Sequence, residues 1–194
     1  MDMNYVEKNY VEKKYTSQND ILINNLLKYY DEDNKIDKMV KIINGESKIS
    51  LRIVDWFTTN YAKKYYTVYS LADESKRFKV YVDYKLKLRS YSKKRFDPFC
   101  RWDRINIPYK NNTHIQTTIG QLNFFKWAFE NEVIHYIENN YALIEADMNN
   151  RNSSSRRNTT SLSGQKTRKK REELSISASK TIKKEEVEIV VKFD

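Results

Sequence analysis

The feature that most limits this chain is where its aromatic residues stop. Tyr, Phe and Trp are spread from Tyr5 to Tyr141, none falls between residues 149 and 186, and Phe193 stands apart near the end. Aromatic side chains bury large areas each, so a core has to be assembled before Asn149. Residues 149–186 are dominated by Ser, Thr, Asn, Lys and Arg. Such a stretch buries too little apolar surface to offset its ordering entropy and is expected to be disordered. What remains is enough for one domain: a core of roughly 130 residues buries about two thirds of its unfolded surface and needs neither disulfide nor metal.

The local patterns predict an α+β fold. Asp20 is placed to cap a helix through Ile21, Leu22, Leu26, Leu27 and Tyr30, which stops at Asp31-Glu32-Asp33-Asn34. Ile36, Met39, Val40 and Ile43 mark a second helix, with Gly45 where a left-handed residue ends it. A third runs from Leu51 to Lys64 with Leu51, Val54, Phe57 and Tyr61 on one face. Thr67–Leu71 and Arg77–Val82 then flank a polar turn. Phe78, Val80 and Val82 alternate as in a half-buried strand, so a hairpin is expected, followed by a helix from Asp83 to Lys94. A second hairpin joins Ile105–Ile107 to His114–Thr117. Thr118 with Gln121 reads as a capping box opening a strongly apolar helix through Ile119, Leu122, Phe125 and Phe129. Val133, Ile137, Tyr141, Ile144 and Met148 continue as one further helix.

Four segments follow: a flexible arm at 1–18, the α+β core at 19–148, a disordered basic linker at 149–186 and a strand-like end at 187–194. The core combines a helical N-terminal part, two short β-hairpins and two C-terminal helices. The arm holds a tandem repeat, Asn4–Lys8 followed by Asn9–Lys13, too short for a solenoid. In the last segment Val187, Ile189, Val191 and Phe193 alternate with polar residues, and such a strand needs an edge, on its own core or on a partner.

Most enzymatic classes leave no trace. His114 and His135 are isolated, Cys100 is the single cysteine, and Gly45, Gly120 and Gly164 are far apart, so neither a metal site nor a phosphate-cradling loop is expected. Cys100 beside Arg101 has the neighbour of an activated thiol, but in the Phe99-Cys100 pair it reads better as a small buried residue. Asp31 and Asp33 suit a solvated loop. No catalytic residue and no cofactor is expected. One cysteine fits a reducing compartment. No apolar run approaches 18 residues, and Met1–Tyr5 lacks the start of a signal peptide, so no membrane association is expected.

The charge distribution is more informative than its total of +10. Residues 76–110 carry 12 basic and 3 acidic side chains, a net of +9, while 111–148 carry a net of −4. Lys93, Lys94, Arg95, Arg101 and Arg104, with Lys85, Lys87 and Arg89, are interleaved with Tyr84, Tyr91, Phe96, Phe99 and Trp102. Cations pair with phosphates and aromatics stack on bases, so the pattern suits sequence-independent nucleic-acid binding. An acidic viral or host protein is the alternative partner, and a merely solvated face is the third reading. Arg168, Lys169, Lys170 and Arg171 form a second basic cluster, of the kind that serves nuclear import or phosphate binding.

Three runs then look familiar together: Ile53–Tyr61; Tyr84 through Ser90–Lys94 to Phe96–Arg101; and Thr117–Ala128. Arg168–Ser175 and Val190–Asp194 accompany them. They resemble a family of uncharacterised proteins of nucleocytoplasmic large DNA viruses that includes the iridovirus immediate-early proteins. The resemblance carries no catalytic residues. It implies an early viral protein of the infected cell, placed in a cytoplasmic viral factory or virion, with the nucleus open through the basic cluster. A virion structural or assembly protein whose terminal strand docks a partner is the alternative role. The sequence leaves the oligomeric state open.

Overall fold

The structure, a computed structural model, describes residues 17–31, 34–71, 77–110, 113–157 and 184–186. The repeat-bearing arm up to residue 16, the basic cluster Arg168–Arg171 and the end from Val187 onward lie outside the described residues. The fold is α+β.

Ser17, not Asp20, caps α1 (Gln18–Tyr30). Its hydroxyl accepts the Asp20 amide at 3.3 Å, and the Asp20 carboxylate accepts the Ser17 amide at 3.0 Å. Asp20 thus closes a capping box from inside the helix. Helix α2 (Lys35–Asn44) ends at Gly45 with φ 74°, the left-handed geometry that glycine adopts without strain.

The expected third helix is interrupted. Helix α3 (Leu51–Trp56) passes into a π-helical turn (Phe57–Tyr61) and then α4 (Ala62–Lys64). The Thr58 hydroxyl donates to the Val54 carbonyl at 3.2 Å and that of Thr59 to the Asp55 carbonyl at 2.6 Å, supplying donors where the wide turn displaces the backbone ladder. The wide turn also shifts the buried face: Leu51, Val54, Phe57 and Ala62 are buried, whereas Tyr61 is half-buried.

Strands β1 (Val68–Ser70) and β2 (Arg77–Lys79) pair antiparallel, and α5 (Val80–Arg95) follows at once. The expected strand through Val82 is therefore cut short. Val80 and Tyr84, at helical spacing, face the core, while Val82 is 53% exposed. Asp83 accepts the indole N–H of Trp127 at 2.6 Å, a bond that a helix starting at Val80 positions. Strands β3 (Arg104–Pro108) and β4 (Thr113–Thr118) form the second hairpin, with Ile107 opposite Ile115. Strand β5 (Lys184–Glu186) joins the free side of β4, so the tail finds an edge on its own core just before the expected terminal segment.

Helix α6 (Ile119–Glu130) packs against α1, α5, α7 and β4. Its Leu122, Phe124, Phe125, Trp127 and Ala128 are all buried. Phe124 and Trp127 meet Tyr84 and Phe96 with ring centroids 5.4–6.4 Å apart, spacings at which aromatic pairs attract beyond their burial. The last expected helix is split into α7 (Val133–Asn139) and α8 (Tyr141–Arg157), with Asn140 between them. Helix α8 runs past the compositional change at Asn149, because extending a nucleated helix costs little. It is also tethered: the Asp147 carboxylate accepts bonds from the Trp56 indole and the Lys64 ammonium, and the Arg151 guanidinium lies 5.5 Å from the Trp56 ring centre.

Candidate nucleic-acid interface

Helix α5 contains a break that shapes the basic region. At Ser92 the backbone turns to φ 61° and ψ 165°, a conformation nearly confined to glycine that costs about 1–3 kcal/mol elsewhere. The chain beyond it wraps around the first turn of α6 and is fastened there. The Asp97 amide donates to the Gly120 carbonyl at 3.1 Å, the Gln121 amide side chain to the Pro98 carbonyl at 2.9 Å, and that of Asn123 to the Arg95 carbonyl at 2.9 Å. A Cβ on Gly120 would stand 2.9 Å from the Lys94 carbonyl oxygen, so the absence of a side chain permits this approach.

Gln121 therefore does not complete the expected capping box. Thr118 caps α6 through its hydroxyl, which accepts the Gln121 amide at 3.1 Å, but the Gln121 side chain is buried between Thr117 and Pro98. It anchors the basic loop instead. Sequence reasoning does not reach Gln121 and Asn123 as anchors, although polar residues inside so apolar a helix are a readable signal. A buried polar group needs a partner, and here the partner is the loop backbone.

The expected binding residues divide. Lys93 and Lys94 are exposed and Arg95 is half-buried, and Lys94, Arg95 and Trp102 line one small cleft of about 80 Å³ with Asp103 and Thr118. Arg101 turns to the Asp97 carboxylate at 3.3 Å and lies over the Phe99 ring, while Arg104 reaches Gln116 on the neighbouring strand at 2.9 Å. Of the interleaved aromatics, Tyr84, Phe96 and Phe99 are buried and Tyr91 is half-buried, so they build the core. Trp102 is 43% exposed.

The acids of this region are all occupied. Asp83 holds Trp127, Asp97 is buried against Arg101, and Asp103 lies 3.1 Å from Lys94. By contrast Lys79, Lys85, Arg89 and Lys93 are exposed and form no ion pair among the described residues. Beneath the loop lies Asp55 of α3, which the sequence pattern does not single out either. Burial, reinforced by the Asp97 carboxylate and opposed by Arg101 and Lys93, pushes its carboxyl up to about 6. Burial likewise raises Asp97 against the pull of the Phe99 amide, Arg101 and Lys93. Cys100 is buried, and that burial raises its thiol, which fits the small core residue and not an activated nucleophile. Among the described residues no cluster of His, Cys, Asp and Glu could hold a metal ion, and no helix is long and apolar enough to cross a membrane.

Comparison with known proteins agrees with a large-virus lineage. An uncharacterised protein of Acanthamoeba polyphaga mimivirus is 46% identical over 129 residues, covering 62% of this chain. The chain spans about half the length of that relative, 50% of it being aligned. No solved structure matches. A family model described as a family of unknown function, DUF7197, matches residues 3–172. The chain belongs to that family of unknown function.

Proposed function

We propose that this is a non-enzymatic nucleic-acid-binding protein of a large DNA virus, gripping phosphates through the α5 face and the loop that follows it, without reading sequence. The observation that carries this reading is electrostatic. Residues 76–110 hold a net charge of +9, and Lys79, Lys85, Arg89 and Lys93 are exposed with no ion pair among the described residues, so their field reaches solvent. Phosphate binding of this kind gives affinity with a steep salt dependence. No zinc finger, basic zipper or ribonucleoprotein motif is present in the sequence to read bases. The resemblance to iridovirus immediate-early proteins, with the mimivirus relative, supports early expression in the infected cell and a place in viral factories or virions. The Arg168–Arg171 cluster adds a second phosphate-binding or nuclear-import element.

The test uses the full chain with Arg168, Lys169, Lys170 and Arg171 changed to Gln, so that the tail cluster does not mask the core. Affinity for DNA or RNA of mixed sequence should lie around 10⁻⁴–10⁻⁶ M at physiological salt. Changing Lys93, Lys94 and Arg95 to Ala should weaken it and flatten the salt slope by about one unit for each phosphate no longer gripped. Absence of salt-sensitive binding to any nucleic acid would overturn the reading in favour of an acidic protein partner.

A further inference from the structure

We infer that Trp102 is a stacking platform for an unpaired base, so that the interface selects single-stranded over duplex nucleic acid. The inference rests on the reading above and names the form of nucleic acid that the site takes. An exposed indole ordinarily directs its N–H to solvent or to a partner molecule. Here the Nε1–H is already donated to the Lys93 carbonyl at 3.0 Å. That carbonyl is available because of the break at Ser92 and the docking of the loop. In a continuous helix the Asp97 amide would bond to it, but that amide goes to Gly120. The indole is thus held by its polar edge, and 43% of the residue remains open to solvent.

Its surroundings suit a nucleotide. Lys94 and Arg95 line the same cleft, and Lys93 carries the carbonyl that fixes the ring. A base on the indole would place its flanking phosphates beside Lys94 and Arg95. Asp103 is the opposing charge, and its pairing with Lys94 at 3.1 Å is exchanged for a phosphate when the strand binds. In a duplex both faces of an interior base are occupied by neighbouring pairs, so only an unpaired base offers its face to the ring. Stacking of this kind tolerates any base, in keeping with an interface that does not read sequence.

The experiment compares a short mixed-sequence single strand with its duplex, labelled alike, by fluorescence anisotropy on the full chain carrying the same four Gln changes in the tail cluster, which serves as the parent. Trp102→Ala should weaken single-strand binding about 5- to 150-fold, the range for removing one base–aromatic stack, and leave duplex binding unchanged. Trp102→Phe should keep most of the single-strand affinity, and circular dichroism should show both variants folded. Equal weakening on both forms, or none on either while the parent chain binds, would overturn the platform and leave the phosphate-binding reading intact. Failure of the parent chain to bind either form at low salt would overturn that reading and the platform with it.

Discussion

At Asp55 a single acid stands beside Ile53 and Val54, both buried, and its pKa of about 6 in the fold compares with 3.8 for a free carboxyl. The folded protein therefore holds the proton more tightly than the unfolded chain, and stability from this group falls as pH rises from about 4 through 6. Above that window the ionised carboxylate opposes folding. Asp55→Asn, which imitates the protonated acid, should stabilise the protein by about 1 to 3 kcal/mol near pH 8, an advantage that shrinks below pH 4. Urea unfolding at the two pH values measures it, and equal effects at both would show that Asp55 is solvated. Phe125 is the opposite kind of residue, apolar and fully buried between Phe124 and Phe129. Phe125→Ala should cost about 3–5 kcal/mol in the same assay, and a loss under about 1 kcal/mol would place the core elsewhere.

Between elements, the contact that matters most is the seat of the basic loop on the first turn of α6. Glycine to alanine inside a helix normally stabilises by about 1 kcal/mol. At Gly120 the sign should reverse, because the new Cβ would meet the Lys94 carbonyl oxygen at 2.9 Å and the neighbour is backbone. Gly120→Ala should lose about 1–3 kcal/mol, as overpacked sites do, and should weaken oligonucleotide binding along with it. A stabilised variant would mean the loop is not seated as described. This seat also marks the limit of what is legible in the sequence. Most helices and both hairpins follow from spacing, since apolar periodicity reports which face is buried. The exceptions are places where long-range partners decide. Val82 continues a strand alternation, yet Val80, Tyr84 and the Asp83–Trp127 bond make the segment helical. The π turn after Trp56, the break at Ser92 and the split at Asn140 carry no local sign either. The cationic residues of the site are readable one by one. Their division into exposed and paired members, and the burial of the aromatics between them, is not, because it depends on Gln121, Asn123 and Asp97.

Over the whole molecule, the buried apolar residues among those described lie between Leu26 and Met148. Strand β5 adds three backbone pairs to the side of β4. A chain ending at Arg157 should therefore unfold cooperatively with a melting temperature within a few degrees of the full chain. Amide exchange at Thr113–Ile115 should accelerate where β5 is removed. Loss of cooperative unfolding would show that the tail is integral to the fold. The intact chain also carries its own reporter. Cys100, the single thiol, is buried in the loop that Gly120, Gln121 and Asn123 hold down. A thiol-directed dye can reach it only in the moments when that loop lifts, so the labelling rate of the unmodified protein is a clock for loop opening. Slower labelling with an oligonucleotide present would time how long the ligand keeps the loop shut.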